Sequence, residues 1–262
     1  MINERNGIGM IYITGDTHAK FNGRFSVDNF PEQKNLMKED YLIICGDFGG
    51  VWNFGGESAS EKYWLDWFEI RNYTLLFVDG NHENFDRLSS YPVEKWHGGT
   101  VHKLRSHVLH LMRGQIYEID GKKLFTFGGA ASHDISGGIL DIEDPDFKRK
   151  KREFNKMHES YRVNHVTWWK QELASEEEME VGKSNLKKYD YTVDYIVTHC
   201  CSTSSQRVLG RNEGYKADKQ TDYLEDIKNC VNYKKWFFGH YHKNINLNEK
   251  EVLIYDQIIR IV

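Results

Sequence analysis

The sequence predicts an α/β fold in which two mixed β-sheets pack together with helices outside. Three observations predict it. Short apolar runs alternate with stretches of helical pattern, the order expected of strands joined by covering helices. Around Asp120 and Gly121 the apolar pattern alternates within runs on both sides, which reads as an antiparallel hairpin. Beyond a long polar stretch the apolar runs return. A chain of 262 residues suffices for one large domain. A hydrophobic fraction of 39% with only three prolines sets it apart from fibrous and disordered classes.

Taken in order, Ile11–Thr14 (IYIT) is a first strand, and residues 31–39 form a helix. Residues 41–45 (YLIIC) are apolar on both faces, so this second strand is interior. Residues 58–72 form a helix capped at Ser58 or Ser60, with Tyr63, Trp64, Trp67, Phe68 and Ile70 as its apolar stripe. Residues 74–78 are a third strand, and 108–129 hold the hairpin. A polar, helical insertion spans about 141–190, with a basic run at 148–152 and an acidic run at 176–180. The basic run reads as a solvated helix face, and Trp168 and Trp169 as a packing anchor. Strands return at 194–198 and 236–238, and residues 251–262 close the fold with one or two more. The chain is thus expected to be a single domain, 1–262, carrying that insertion.

Several function classes are disfavoured. Lys and Arg number 35 against 39 Asp and Glu, a net charge of -4, without the basic excess of a duplex binder. No apolar stretch approaches the ~20 residues of a membrane span, and the start MINERNGIGM lacks the apolar core of a leader peptide. Cys45, Cys200, Cys201 and Cys230 form no CxxC pair, so neither a disulfide scaffold nor a zinc ribbon is indicated. The expectation is a cytoplasmic protein with reduced thiols.

Five polar clusters carry the chemistry. They are Gly15-Asp16-Thr17-His18, Gly46-Asp47, Gly80-Asn81-His82-Glu83, Thr198-His199-Cys200 and Gly239-His240-Tyr241-His242. Each directly follows an apolar strand, and in open α/β sheets ligands bind at the carboxyl ends of strands. Side chains two apart on extended chain share a face, so Asp16 with His18, and His240 with His242, are each able to grip one ion. Asp, His and Asn suit manganese, iron and zinc. Any one cluster alone is a common turn. All five in this order point to a metal centre.

The ordered set GDTH, GD, GNHE, TH and GHYH resembles the calcineurin-like metallophosphoesterase superfamily, in a bacterial or phage-type form. The motifs run from residue 15 to 242 and every ligand position is filled. The resemblance implies an αββα four-layer sandwich. It implies two metal ions, manganese first, with iron and zinc as alternatives. Asp16, His18 and His242 would hold one ion, Asn81, His199 and His240 the other, and Asp47 would bridge them with its two oxygens. A bridging hydroxide would then attack a phosphomonoester or phosphodiester without a covalent phosphoenzyme. His82, beside Asn81 but not a ligand in this pattern, is the candidate for proton transfer or charge stabilisation, oriented by Asp16. Asp79 and Glu83 lie close enough in sequence to tune it, but are expected to brace or cap the surrounding turn.

Arg87 and His133 are the candidates for substrate contact, His133 within a Gly128-Gly129-Ala130-Ala131-Ser132-His133-Asp134 loop that follows an apolar run. Phosphoproteins, nucleotides and nucleic acids stay open as substrates, and no oligomeric state is indicated. The alternative is a non-catalytic metal-binding interaction scaffold of the same fold. Such a scaffold is marked by missing ligands, and here none of the seven is missing.

Overall fold

Apolar runs too short for helices become strands buried on both faces. The computed structural model describes residues 9–210 and 215–262, so the expectation about the chain's start falls largely outside the described residues. Strands β1 (Ile11–Thr14), β2 (Tyr41–Ile44) and β3 (Thr74–Phe77) are buried at every position and run parallel, as interior strands of a covered sheet do. β4 (Val93–Trp96), β5 (Gly99–Arg105) and β6 (Val108–Leu111) follow, with β6 parallel to β3. The half-buried β5 pairs antiparallel with β6, and the mostly exposed edge strand β4 pairs antiparallel with β5. Sequence pattern alone did not mark β4 and β5, because they cover only part of a core face.

The hairpin is β7 (Gln115–Ile119) with β8 (Lys122–Phe127). Asp120 (φ 49°) and Gly121 (φ 70°) make its two-residue turn, the left-handed pair whose twist matches antiparallel strands. Residues 108–111, expected within this hairpin, instead belong to the first sheet as β6. Next, β9 (Gly138–Leu140) and β10 (Tyr161–Val163) form a small parallel pair. β11 (Tyr195–Thr198), β12 (Lys235–Phe238), β13 (Ile245–Asn246) and β14 (Glu251–Leu253) complete a second sheet, and β15 (Ile259–Arg260) returns to the edge of the first. The C-terminal segment therefore gives one strand to each sheet. The strand orders are β15-β1-β2-β3-β6-β5-β4 and β13-β14-β12-β11-β8-β7, both mixed.

Three cores define the layers. Between the sheets lie Ile13, Ile43, Leu76, Leu109, Tyr117, Leu124, Val197 and Phe237. Outside the first sheet, Ile44, Leu75 and Phe77 meet α1 (Phe21–Arg24) and α2 (Ala59–Glu69) through Phe21, Leu65 and Phe68. Helix α3 (Phe85–Leu88) lies just after the third motif. Outside the second sheet, Phe125, Ile196, Trp236 and Phe238 meet helices through Met179, Leu186, Leu224 and Ile227. The result is the expected α–β–β–α sandwich. Two sheets with apolar outer faces are each covered by helices, because a sheet buried on one side only would leave the other face wet.

The segment 141–190 departs from a wholly helical insertion. It contains α4 (Phe147–Met157), which has no buried residue, then β10, then α5 (Glu176–Lys188). The basic run lies on α4 and is solvated, as expected. Helix α5 is part of the sandwich: Met179 and Leu186 enter the outer core. Trp169 is fully buried. Two further helices, α6 (Thr203–Leu209) and α7 (Lys219–Cys230), complete that layer. Residues 31–39 give only a short 3₁₀ helix at Pro31–Asn35, since the stretch is too short to propagate an α-helix.

Candidate metal centre

Five strands, β1, β2 and β3 of one sheet and β11 and β12 of the other, end at one place. The five motifs begin within three residues of those ends. Cross-sheet hydrogen bonds lock the two edges together. His199 donates through Nδ1 to the Cys45 carbonyl at 2.8 Å, and the His240 N–H donates to Asp16 Oδ1 at 2.9 Å. The first bond leaves His199 Nε2 facing the other residues, since the tautomer of a ligating histidine is set by what its other nitrogen donates to.

Two groups of ligand atoms form around Asp47. On one side, His242 Nε2 lies 3.1 Å from Asp16 Oδ2 and 3.0 Å from His18 Nε2, and His18 Nε2 lies 3.6 Å from Asp47 Oδ2. Asp16, His18, Asp47 and His242 each offer an atom within 4.8 Å of the others. On the other side, His199 Nε2 lies 3.4 Å from Asp47 Oδ1 and 3.2 Å from Asn81 Oδ1. The His240 ring packs on the His199 ring at 5.0 Å. Asp47 thus turns one oxygen to each group.

The backbone is shaped to do this. His18 (φ 44°), Asp47 (φ 47°), His240 (φ 68°) and His242 (φ 49°) all adopt left-handed conformations. Such strain costs about 1–3 kcal/mol per residue and persists only where surroundings enforce it. Gly46 is also left-handed (φ 91°), and a Cβ there would strike the His199 ring. At Gly80 a Cβ would strike the Asp47 carboxylate. Asn81 is held by its amide nitrogen, which donates to Ser132 Oγ at 3.3 Å. Ser132 in turn donates to Glu172 Oε2 at 2.6 Å. With its nitrogen engaged, Asn81 must present its oxygen to the centre.

The sequence matches the calcineurin-like phosphoesterase family over residues 9–244. The chain belongs to that family. No curated protein matches the sequence. Among solved structures, a phosphopantetheinyl hydrolase from Mycobacterium tuberculosis is similar in chain path, with a TM-score of 0.47 and 15% identity over 95% of this chain and 88% of that one.

The residues of this phosphoesterase fit cations. Burial would lower the pKa of His199, yet Asp47 and Asp16 outweigh it and push it up to about 10. Burial would raise Asp47, but His199, His82 and His18 hold it far below the usual carboxylate range. His240 is driven well below an ordinary histidine by burial and by His199 beside it. A proton and a metal ion compete for one nitrogen, so two buried carboxylates that hold a proton on His199 make a field suited to positive ions.

His82 stands beside this centre. Its backbone N–H donates to Asp47 Oδ1 at 2.7 Å, so Asp47, not Asp16, steers it. Asp16 is spent on the His240 N–H and on His242. The His82 ring meets His18 at 5.0 Å and Trp52 at 5.4 Å. Burial lowers its pKa. Glu83 holds the loop after Asp47 by accepting the Phe48 N–H at 2.7 Å. Asp79 accepts from His110 and Arg113, behind the centre.

The two expected substrate residues part ways. His133 sits at the rim, its ring 5.6 Å from His240. Arg87 is engaged elsewhere: it donates to Glu61 Oε1 at 2.9 Å and to the Asn53 carbonyl at 3.1 Å. Although near GNHE in sequence, it lies in the last turn of α3, where those two acceptors hold it. Arg162 takes the position near the centre, donating to His82 Nε2 at 3.2 Å. It lies 80 residues from His82 in a three-residue strand with no motif, so no sequence signal marked it.

Proposed function

We propose that this protein is a hydrolase of phosphate esters whose reaction depends on two metal ions, manganese first, held by Asp16, His18, Asp47, Asn81, His199, His240 and His242. The observation that carries the reading is the division of Asp47, with Oδ2 toward His18 and Oδ1 toward His199. A carboxylate so placed suits the bridge of a two-metal site. Asp16, His18 and His242 form one ligand group, and Asn81, His199 and His240 the other. Bound there, such ions would bring the pKa of a water toward neutrality and offset charge on the phosphoryl oxygens.

The chain's own residues do the rest. Asp47 orients the His82 backbone, and His82 serves proton transfer to the leaving oxygen or stabilises charge on the phosphoryl group. Trp52 keeps one face of the His82 ring dry. His133 lies where it would meet substrate. The described residues act as one domain, a reading supported by the central core that both sheets share and the outer core that each carries. The cysteines, three buried and one exposed, are all free, which favours a reducing compartment such as the cytoplasm. Among the described residues no helix is long and apolar enough to cross a membrane.

A metal-reconstitution assay tests this reading. Protein stripped with chelator is expected to lose activity on p-nitrophenyl phosphate or its bis ester, and Mn²⁺, Fe²⁺ or Zn²⁺ to restore it. Failure of every metal to give turnover would refute it. Retention of metals with no turnover would favour the interaction scaffold.

A further inference from the structure

Arg162 is more than a neighbour of His82. An arginine fork has five N–H groups and accepts nothing. Here Nε donates to Asp134 Oδ1 at 3.1 Å, and Nη2 donates to Asp134 Oδ2 at 2.6 Å and to His82 Nε2 at 3.2 Å. Those bonds use three of the five. Among the described residues the two N–H groups on Nη1 meet no acceptor. The side chain is only 13% exposed, whereas Asp134 is 47% exposed. Nη1 is not among the buried atoms that lack a partner, so its N–H groups open toward solvent while the rest of the fork is held. Two donors beside His82 are thus held in place and open to an acceptor from outside.

We propose that Arg162 is a substrate-binding residue that fits this site to phosphomonoesters, and that Asp134 is its positioning residue. The proposal rests on the phosphoesterase reading above and adds the substrate class to it. A monoester group carries roughly −1.5 to −2 charge at neutral pH and three free oxygens. A diester carries one charge and two free oxygens. A fixed guanidinium fork rewards the extra charge and the extra oxygen, since Arg binds phosphate through paired N–H groups. Asp134 grips Nε and Nη2 as a bidentate partner, which leaves the Nη1 side for the ligand. Strand β10, paired to β9, carries Arg162 there, which gives the segment 141–190 a function at the site.

The test compares Arg162→Ala with wild type, both loaded with Mn²⁺, on p-nitrophenyl phosphate and bis(p-nitrophenyl) phosphate. The variant is expected to lose about 10- to 100-fold in kcat/KM on the monoester, the scale of a hydrogen bond to a charged group, mainly through KM. Its loss on the diester is expected to stay under about threefold. Arg162→Lys, which keeps charge but not the fork, should recover only part of the loss. Asp134→Asn should raise the monoester KM with kcat little changed. A readout without turnover accompanies these: inorganic phosphate should raise the melting temperature of the loaded wild type and not of the alanine variant. Bound metal should be equal in both, because Arg162 touches none of the seven ligands. Should Arg162→Ala not fold, Arg162→Gln gives the same readings. Equal losses on both esters, or an unchanged phosphate shift, would overturn the proposal while leaving the hydrolase reading intact. A wild type inactive on both esters with every metal would instead overturn the hydrolase reading, and this proposal with it.

Discussion

At the scale of single residues, position in the shell decides what a substitution does. Asp47→Asn removes the charge that faces both ligand groups, and it weakens the acceptor of the His82 N–H. It is expected to lose bound metal, measured by elemental analysis, together with activity. His82→Ala leaves the ligands in place, so metal content should hold while kcat falls by about 10²–10⁴, the usual worth of a positioned proton donor or acceptor. Loss of metal in His82→Ala would contradict its assignment outside the shell. Ser132→Ala frees the Asn81 amide to flip and present nitrogen, and it removes the hydroxyl donor of Glu172 Oε2 while the backbone N–H at 132 still reaches Oε1. Partners at that distance are typically worth about 10–100-fold in metal affinity, so a chelator titration should show a weakening of that size. The ligands were legible because each follows a strand end and spacing within a motif is local. Arg162 was not, since contact across 80 residues leaves no trace in a single sequence.

At the scale of elements, α2 shows how a cap reaches the site. Ser58 and Glu61 form a reciprocal capping box. Of the two serines the sequence offered, only Ser58 lies one residue before the first helical turn. Glu61 Oε1 also accepts the N–H groups of Trp52 and Asn53, at 2.6 and 2.8 Å, and pairs with Arg87. It thereby fixes the loop that lays Trp52 against His82. Burial would raise the Glu61 pKa, but the N–H groups of Asn53, Ser58 and Trp52, with Arg87, hold it below the usual glutamate range. A carboxylate with a depressed folded pKa stabilises the fold above its unfolded value, and that contribution is lost as pH falls through the folded one. In chelated protein, wild-type melting temperature should therefore drop more steeply below about pH 4.5 than that of Glu61→Gln. At pH 7 the variant should be less stable by about 1–3 kcal/mol. Parallel slopes would remove Glu61 from this role.

At the scale of the whole molecule, the centre is a seam between two sheets. Nothing within one sheet holds all seven residues: β1 to β3 supply Asp16, His18, Asp47 and Asn81, while β11 and β12 supply His199, His240 and His242. Cations there would tie the sheets together and offset four strained backbone positions. The metal-loaded protein is expected to unfold in one calorimetric transition. Chelation should lower its midpoint by about 5–10 °C, from about 2.7 kcal/mol at 100-fold metal excess over Kd and about 2–4 °C per kcal/mol at this size. Two transitions would mean that the chain is not one cooperative domain.

The sequence by itself determined the α/β class, the sandwich through its resemblance, the interior strands and the motif residues at their ends. Those depend on local pattern: apolar runs, a left-handed turn, residues two apart on one face. Tertiary structure alone decided that 108–111 joins the first sheet, that α5 belongs to the sandwich, and that Arg162 rather than Arg87 reaches His82. Such outcomes depend on which edges and faces meet after collapse. That is a property of long-range packing, and local spacing does not encode it.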